Sequence, residues 1–161
     1  MSGTDQTKVI YWDSCVYIAW LRDEQSHGKA PMDAIAQVLK ENFERKVTII
    51  SSTITLIEVL ASKMDEEKER LFRKSFRTRD HIAYDVDIAI ALKARELRDR
   101  LLNQESGKLA TPDAIHIATA LIYKARALFT FDSRILVLNK DPRVGGLEIS
   151  QPVVDQPELI P

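Results

Sequence analysis

Residues 8–21 read KVIYWDSCVYIAWL, and the change of period at Asp13 decides how the rest of the chain is parsed. Lys8 to Trp12 is a short apolar, β-prone run, whereas Val16, Tyr17, Trp20 and Leu21 recur at helical spacing. A strand therefore feeds directly into a helix, with a carboxylate at the junction. The unit recurs along the chain. Val47 to Ser51 is strand-like, and Ser52 or Thr53 can cap a helix containing Ile54, Ile57, Leu60 and Ala61. His81 to Tyr84 is a weak short strand, after which Asp85 or Asp87 caps a long amphipathic helix through Ile88, Leu92, Leu97 and Leu101. Thr111-Pro112 marks another helix start, a capping hydroxyl followed by proline at the first helical position, continued by Ile115, Ala118, Leu121 and Ile122. Ala127 to Phe131 reads as a buried strand ending at Asp132, and Leu147 to Ser150 as an edge strand.

Two further helices fill the gaps. After a polar loop from Asp23 to Lys29, Pro31 suits the first turn of a helix carrying Ile35, Val38, Leu39 and Phe43. The segment from Asp65 to Thr78 is mostly charged and predicts a surface helix. Gly107 falls in a loop, and the tail with Pro152, Pro157 and Pro161 reads as extended.

Strands separated by helices require right-handed crossovers, hence a mostly parallel sheet covered on both faces. The expectation is a three-layer α/β/α fold with five strands in the order 3-2-1-4-5. Residues 1–150 would form one domain and residues 151–161 a proline-containing tail. In this order the topological switch lies between the first and fourth strands, where ligands bind beyond the carboxyl ends. Asp13 and Asp132 terminate those two strands.

Bulk composition narrows the partners. The chain has 161 residues, 45% of them hydrophobic, enough for one self-sufficient core. Its 23 basic and 24 acidic residues leave a net charge of -1, so any polyanion must be held by local patches. The lone Cys15 cannot form an internal disulfide, and no signal-like or bilayer-length apolar run occurs, which points to the cytoplasm and away from membranes.

Four carboxylates stand out, each with an ordinary alternative. Asp13 could merely cap a helix, Asp132 could close an Asx turn, and Asp113 could answer the helix dipole. Glu58 differs, because Leu56-Ile57-Glu58-Val59-Leu60 predicts a helix apolar on nearly every side, where a glutamate needs a partner or a metal. The pattern is stronger than its parts: Asp13, Asp113 and Asp132 fall at strand carboxyl ends or helix amino termini, and Glu58 lies about one turn into its helix. All four can reach one edge of the sheet. Carboxylates crowded together repel unless a cation neutralises them. An all-oxygen set selects Mg2+ or Mn2+ over zinc, and such ions serve phosphodiester hydrolysis.

Asp13-Ser14 after the first strand, Ser52-x-x-Thr55-x-x-Glu58, Thr111-Pro112-Asp113-Ala114-Ile115-His116-Ile117-Ala118-Thr119-Ala120 and Phe129-Thr130-Phe131-Asp132 together resemble a PIN-domain ribonuclease of the VapC-like toxin group. The resemblance covers Val9 to Ser150. It implies that Asp13, Glu58, Asp113 and Asp132 bind magnesium or manganese for RNA cleavage, with Thr130 and Ser14 as supporting hydroxyls. It also implies an antitoxin protein as partner and a homodimer, with helix faces around Ile35 to Phe43 or Ile54 to Leu60 as contacts. The segment from Arg22 to Pro31 is longer than in the compact toxins, and the tail has no family counterpart.

Other residues read more plainly. His116, one turn from Asp113, is expected as a neutral, hydrogen-bonded histidine beside the core, outside the catalytic set. The basic residues from Lys63 to Arg79 are interleaved with acids and read as a solvated helix face. Trp12 and Trp20 read as core. An Asp-x-Asp phosphatase is disfavoured because Cys15 occupies the second acid's place. The rival reading is a catalytically silent PIN-like module that binds RNA or a partner.

Overall fold

A computed structural model describes residues 7–102 and 108–155. Five parallel strands, β1 (Lys8–Trp12), β2 (Val47–Ser52), β3 (His81–Tyr84), β4 (Ala127–Phe129) and β5 (Glu148–Ser150), form one sheet in the order β3-β2-β1-β4-β5. This is the expected order. The helices are α1 (Ser14–Arg22), α2 (Lys29–Phe43), α3 (Ile54–Leu60), α4 (Glu66–Ser75), α5 (Ile88–Arg100), α6 (Thr111–Ile122) and α7 (Ser133–Leu136).

The central strand β1 sends side chains alternately into two cores, because successive residues of a strand face opposite sides. Ile10 and Trp12 pack with residues of α1 to α4, whereas Tyr11 packs with α5 and α6. Every residue from Ile10 to Trp12 is fully buried, as a strand covered on both faces requires. Helix α4 carries a single fully buried anchor, Phe72, and its charges pair along the surface, as Arg73 does with Glu69. No helix among the described residues is long and apolar enough to cross a membrane.

Of the two candidate caps for α5, Asp87 fills the role by accepting from the Ile90 amide. Several other local expectations change. The buried stripe of that helix is Ile90, Ala94, Leu97 and Leu101, whereas Ile88 and Leu92 are 80% and 64% exposed. At 100° per residue the latter pair lies on the far side, so the amphipathic register is set by the sheet rather than by the outermost leucine spacing. Phe43 likewise ends α2 on the solvent side. Ala110, not Thr111, is the N-cap of α6, and Thr111-Pro112 form its first two positions. The strand expected over Ala127 to Phe131 leaves the regular ladder after Phe129, although the Thr130 amide still bonds to the Ser150 carbonyl at 3.0 Å. The loop after α1 contains a 3-10 turn over Gln25–His27. Gly107 and the end of the tail lie outside the described residues; at the tail's start, Pro152 is buried and Asp155 pairs with Lys8 and Arg126.

Candidate metal centre

The carboxyl edge of the sheet builds the site, beginning with Asp13. As β1 ends, the Asp13 amide bonds to the Phe129 carbonyl of β4, and its extended backbone lets the side chain cap α1. Its Oδ1 accepts from the Ser14 amide at 2.6 Å and the Ser14 hydroxyl at 3.1 Å. Its Oδ2 accepts from the Thr130 hydroxyl at 2.7 Å and from the Cys15 thiol at 3.2 Å. Capping and function are therefore not alternatives, because the same carboxylate does the first while facing the second. Burial pushes the Cys15 thiol's pKa well up, and the Asp13 charge adds to it, so the thiol stays protonated and donates.

Glu58 reaches the same place from α3. Its Oε2 accepts from the Ser14 hydroxyl at 2.7 Å, and its Oε1 lies 2.8 Å from His116 Nε2. Half-burial raises its pKa, but the His116 and Ser14 bonds outweigh this and hold it below the usual glutamate range. The helix is not apolar all round, as the sequence suggested. Its neighbour Ile57 is 71% exposed and the Glu58 side chain 35% exposed, because α3 rests on the fold's rim through Thr55 and Val59.

His116 belongs to this site, contrary to its expected role as a bystander of the core. It is 1% exposed, and its Nε2 also lies 3.3 Å from Asp13 Oδ1. Burial lowers its pKa, yet the Glu58 bond and the Asp13, Glu58 and Asp113 charges raise it above the ordinary histidine value. Ligand atoms of Asp13, Glu58 and His116 fall within 4.8 Å of one another. The signal for His116 was present in the sequence: it stands three residues after Asp113 on one helix, hence on the same face.

Asp113 and Asp132 flank this trio and are not in its tight cluster. Asp113 sits in the first turn of α6 and is 9% exposed. Burial raises its pKa; the Arg134 charge opposes this, and the Asp132 and Asp13 charges reinforce it. Asp132 caps α7 and is gripped by its own neighbour: the Arg134 guanidinium donates from Nε to Oδ1 at 3.1 Å and from Nη2 to Oδ2 at 2.7 Å. That grip keeps the Asp132 carboxyl below its usual range. Thr130 links the two sides, since its hydroxyl donates to Asp13 and accepts from the Asp132 amide at 3.0 Å.

The donor set fits a divalent cation. Two half-buried to buried carboxylates with a third nearby, whose charged form is disfavoured by burial and like charge, leave a negative pocket that a hard cation would neutralise. The carboxylate oxygens suit magnesium or manganese, while the His116 Nε2 is engaged with Glu58 at 2.8 Å.

The sequence matches the PIN domain family over residues 10–140. A solved structure, VapBC2 from Rickettsia felis bound to a DNA fragment from their promoter, is similar with a TM-score of 0.60 at 17% identity, covering 88% of this chain and 96% of that one. At that identity the likeness concerns the fold. No curated protein matches the chain. With most of its length inside the matched span and the sheet order borne out, the chain belongs to the PIN domain family.

Proposed function

We propose that this protein is a magnesium- or manganese-dependent endoribonuclease that hydrolyses RNA phosphodiesters, acting as the toxin of a toxin–antitoxin pair in the cytoplasm. The observation that carries the reading is the meeting of Asp13, Glu58 and His116 ligand atoms within 4.8 Å at the carboxyl edge of a PIN-family sheet. PIN domains are in general nucleases, and the similar structure is a complex of toxin and antitoxin. Asp13, Glu58, Asp113 and Asp132 would hold the ion, which when bound would activate a water and neutralise charge on the phosphate. The chain's own contribution is orientation. The Thr130 hydroxyl and the Ser14 amide fix the Asp13 carboxylate from two sides. Ser14 and His116 aim Glu58. Asp113 and Asp132 line the approach, and Arg134 would supply a cation for a phosphate once it releases Asp132.

A homodimer and an antitoxin belong to the same reading. Ile35 and Val38 are in the protein's own core, so a dimer contact on these elements would use the exposed Phe43 or Ile57 instead. The test is incubation of the purified protein with total RNA, with Mg2+ or Mn2+ and with chelator, mapping cut ends. Metal-dependent cuts that disappear in Asp13→Asn support the proposal. RNA binding without any cut in either metal favours a silent binding module and refutes it.

A further inference from the structure

We propose that Tyr11 and His116 form a buried relay that ties Glu58 to the backbone of β2 and so positions it for the metal, a role resting on the metal-dependent reading above. Glu58 needs such a device. It rides on a seven-residue helix with no side-chain cap, beside the solvent-facing Ile57, and among the described residues its carboxylate has only Ser14 and His116 as hydrogen-bond partners. Ser14 has one proton and also lies 3.1 Å from Asp13, so it cannot anchor Glu58 alone.

The relay supplies the second hold. The Ser52 amide, at the end of β2, donates to the Tyr11 hydroxyl at 3.0 Å. Tyr11 Oη lies 2.6 Å from His116 Nδ1, and the two rings meet edge to face with centroids 5.7 Å apart. In the neutral imidazole the tyrosine proton goes to Nδ1, and in the imidazolium Nδ1–H donates to the tyrosine oxygen, which keeps a lone pair beside the backbone bond. In both forms the Nε2 proton is aimed at Glu58 and Asp13. Tyr11 and His116 are both essentially inaccessible, on the central strand and on α6. A donor that faces two carboxylates at once also holds them together before any ion arrives. The relay thus connects the fully buried central strand to an acid carried on the rim.

The test is Mn2+ affinity of the full chain by calorimetric titration, together with the kcat and KM of RNA cleavage, for Tyr11→Phe, His116→Leu and His116→Gln, each also in a Glu58→Gln background. Tyr11→Phe touches no carboxylate, yet is expected to weaken Mn2+ by about tenfold and to lower kcat with little change in KM. His116→Leu should lose at least as much, and His116→Gln, which can return an N–H to Glu58, should recover most of it. In the Glu58→Gln background, Tyr11→Phe should change Mn2+ affinity by less than about twofold, since the group to be positioned has lost its charge. Mn2+ affinity unchanged in folded Tyr11→Phe, or an equal loss with and without Glu58, would overturn the relay. Direct nitrogen coupling in the Mn2+ electron spin echo spectrum would also overturn it, by making His116 a ligand. A wild-type protein that binds Mn2+ but never cuts RNA refutes the nuclease reading and leaves the affinity arm decisive; one that binds no Mn2+ refutes both.

Discussion

Two buried histidines are expected to give the metal-free protein a stability maximum near the free-histidine value of about 6.5, with each limb removable separately. His81 is 2% exposed, bonded at 2.7 Å to the Tyr17 hydroxyl and enclosed by Trp12, Tyr17 and Phe76. Burial depresses its pKa from 6.5 to about 4. Between those values the unfolded chain binds a proton that the folded protein refuses, so stability is full above 6.5 and falls as the pH drops. The shift corresponds to a loss of about 2 kcal/mol by pH 5 and about 3 kcal/mol by pH 4. His116 has the opposite sign. Its folded pKa is raised by Glu58 and Asp13, so its contribution is full below 6.5 and is lost as the pH climbs through the raised value. Urea unfolding monitored by tryptophan fluorescence at half-unit pH steps from 5 to 9 would show both limbs; stopping at pH 5 keeps the lowered carboxyls Glu58 and Asp132 largely out of the slope. His81→Gln should flatten the acid limb and leave the alkaline one, and His116→Gln should do the reverse. A His81→Gln variant that still loses about 2 kcal/mol on going from pH 6.5 to 5, or an NMR titration of His81 near 6.5, would refute the argument.

Three further outcomes follow from the same geometry. Asp113→Asn should stabilise the metal-free protein, because burial and neighbouring acids already disfavour its charge, while weakening Mn2+ binding and cutting RNA cleavage by orders of magnitude; loss of stability with undiminished cleavage would mean that Asp113 serves only the helix dipole. Arg134→Gln frees Asp132 from a mostly exposed ion pair, so unfolding should change by less than about 1 kcal/mol while Mn2+ binds severalfold more tightly; weaker binding would show that Asp132 needs its arginine to stay in place. Gly145→Ala should cost about 1 kcal/mol or more in thermal unfolding, since φ is +70° there and a new Cβ would meet Leu121 Cδ2 at 3.0 Å, and a neutral result would show that this turn relaxes freely.

Much of this protein was legible along the chain because its signals are local. The apolar run ending at Asp13, the charged surface helix within Asp65 to Thr78 and the Thr111-Pro112 helix start depend on period and composition within a few residues. Strand and helix alternation then forces parallel pairing, and with it the placing of Asp13 and Asp132 at one sheet edge. Helix faces were less legible: α5 offers two apolar stripes, Ile88-Leu92 and Ile90-Ala94-Leu97, and only contact with the sheet decides which is buried. The half-exposure of Glu58 was likewise invisible, since the four apolar neighbours Leu56, Ile57, Val59 and Leu60 look the same on a rim as in a core. The partnership of Tyr11 with His116 spans 105 residues, and that of His116 with Glu58 spans 58. Such bonds depend on strand order, twist and side-chain direction acting together, so they arise only when the sheet has closed between α6 and the end of β2.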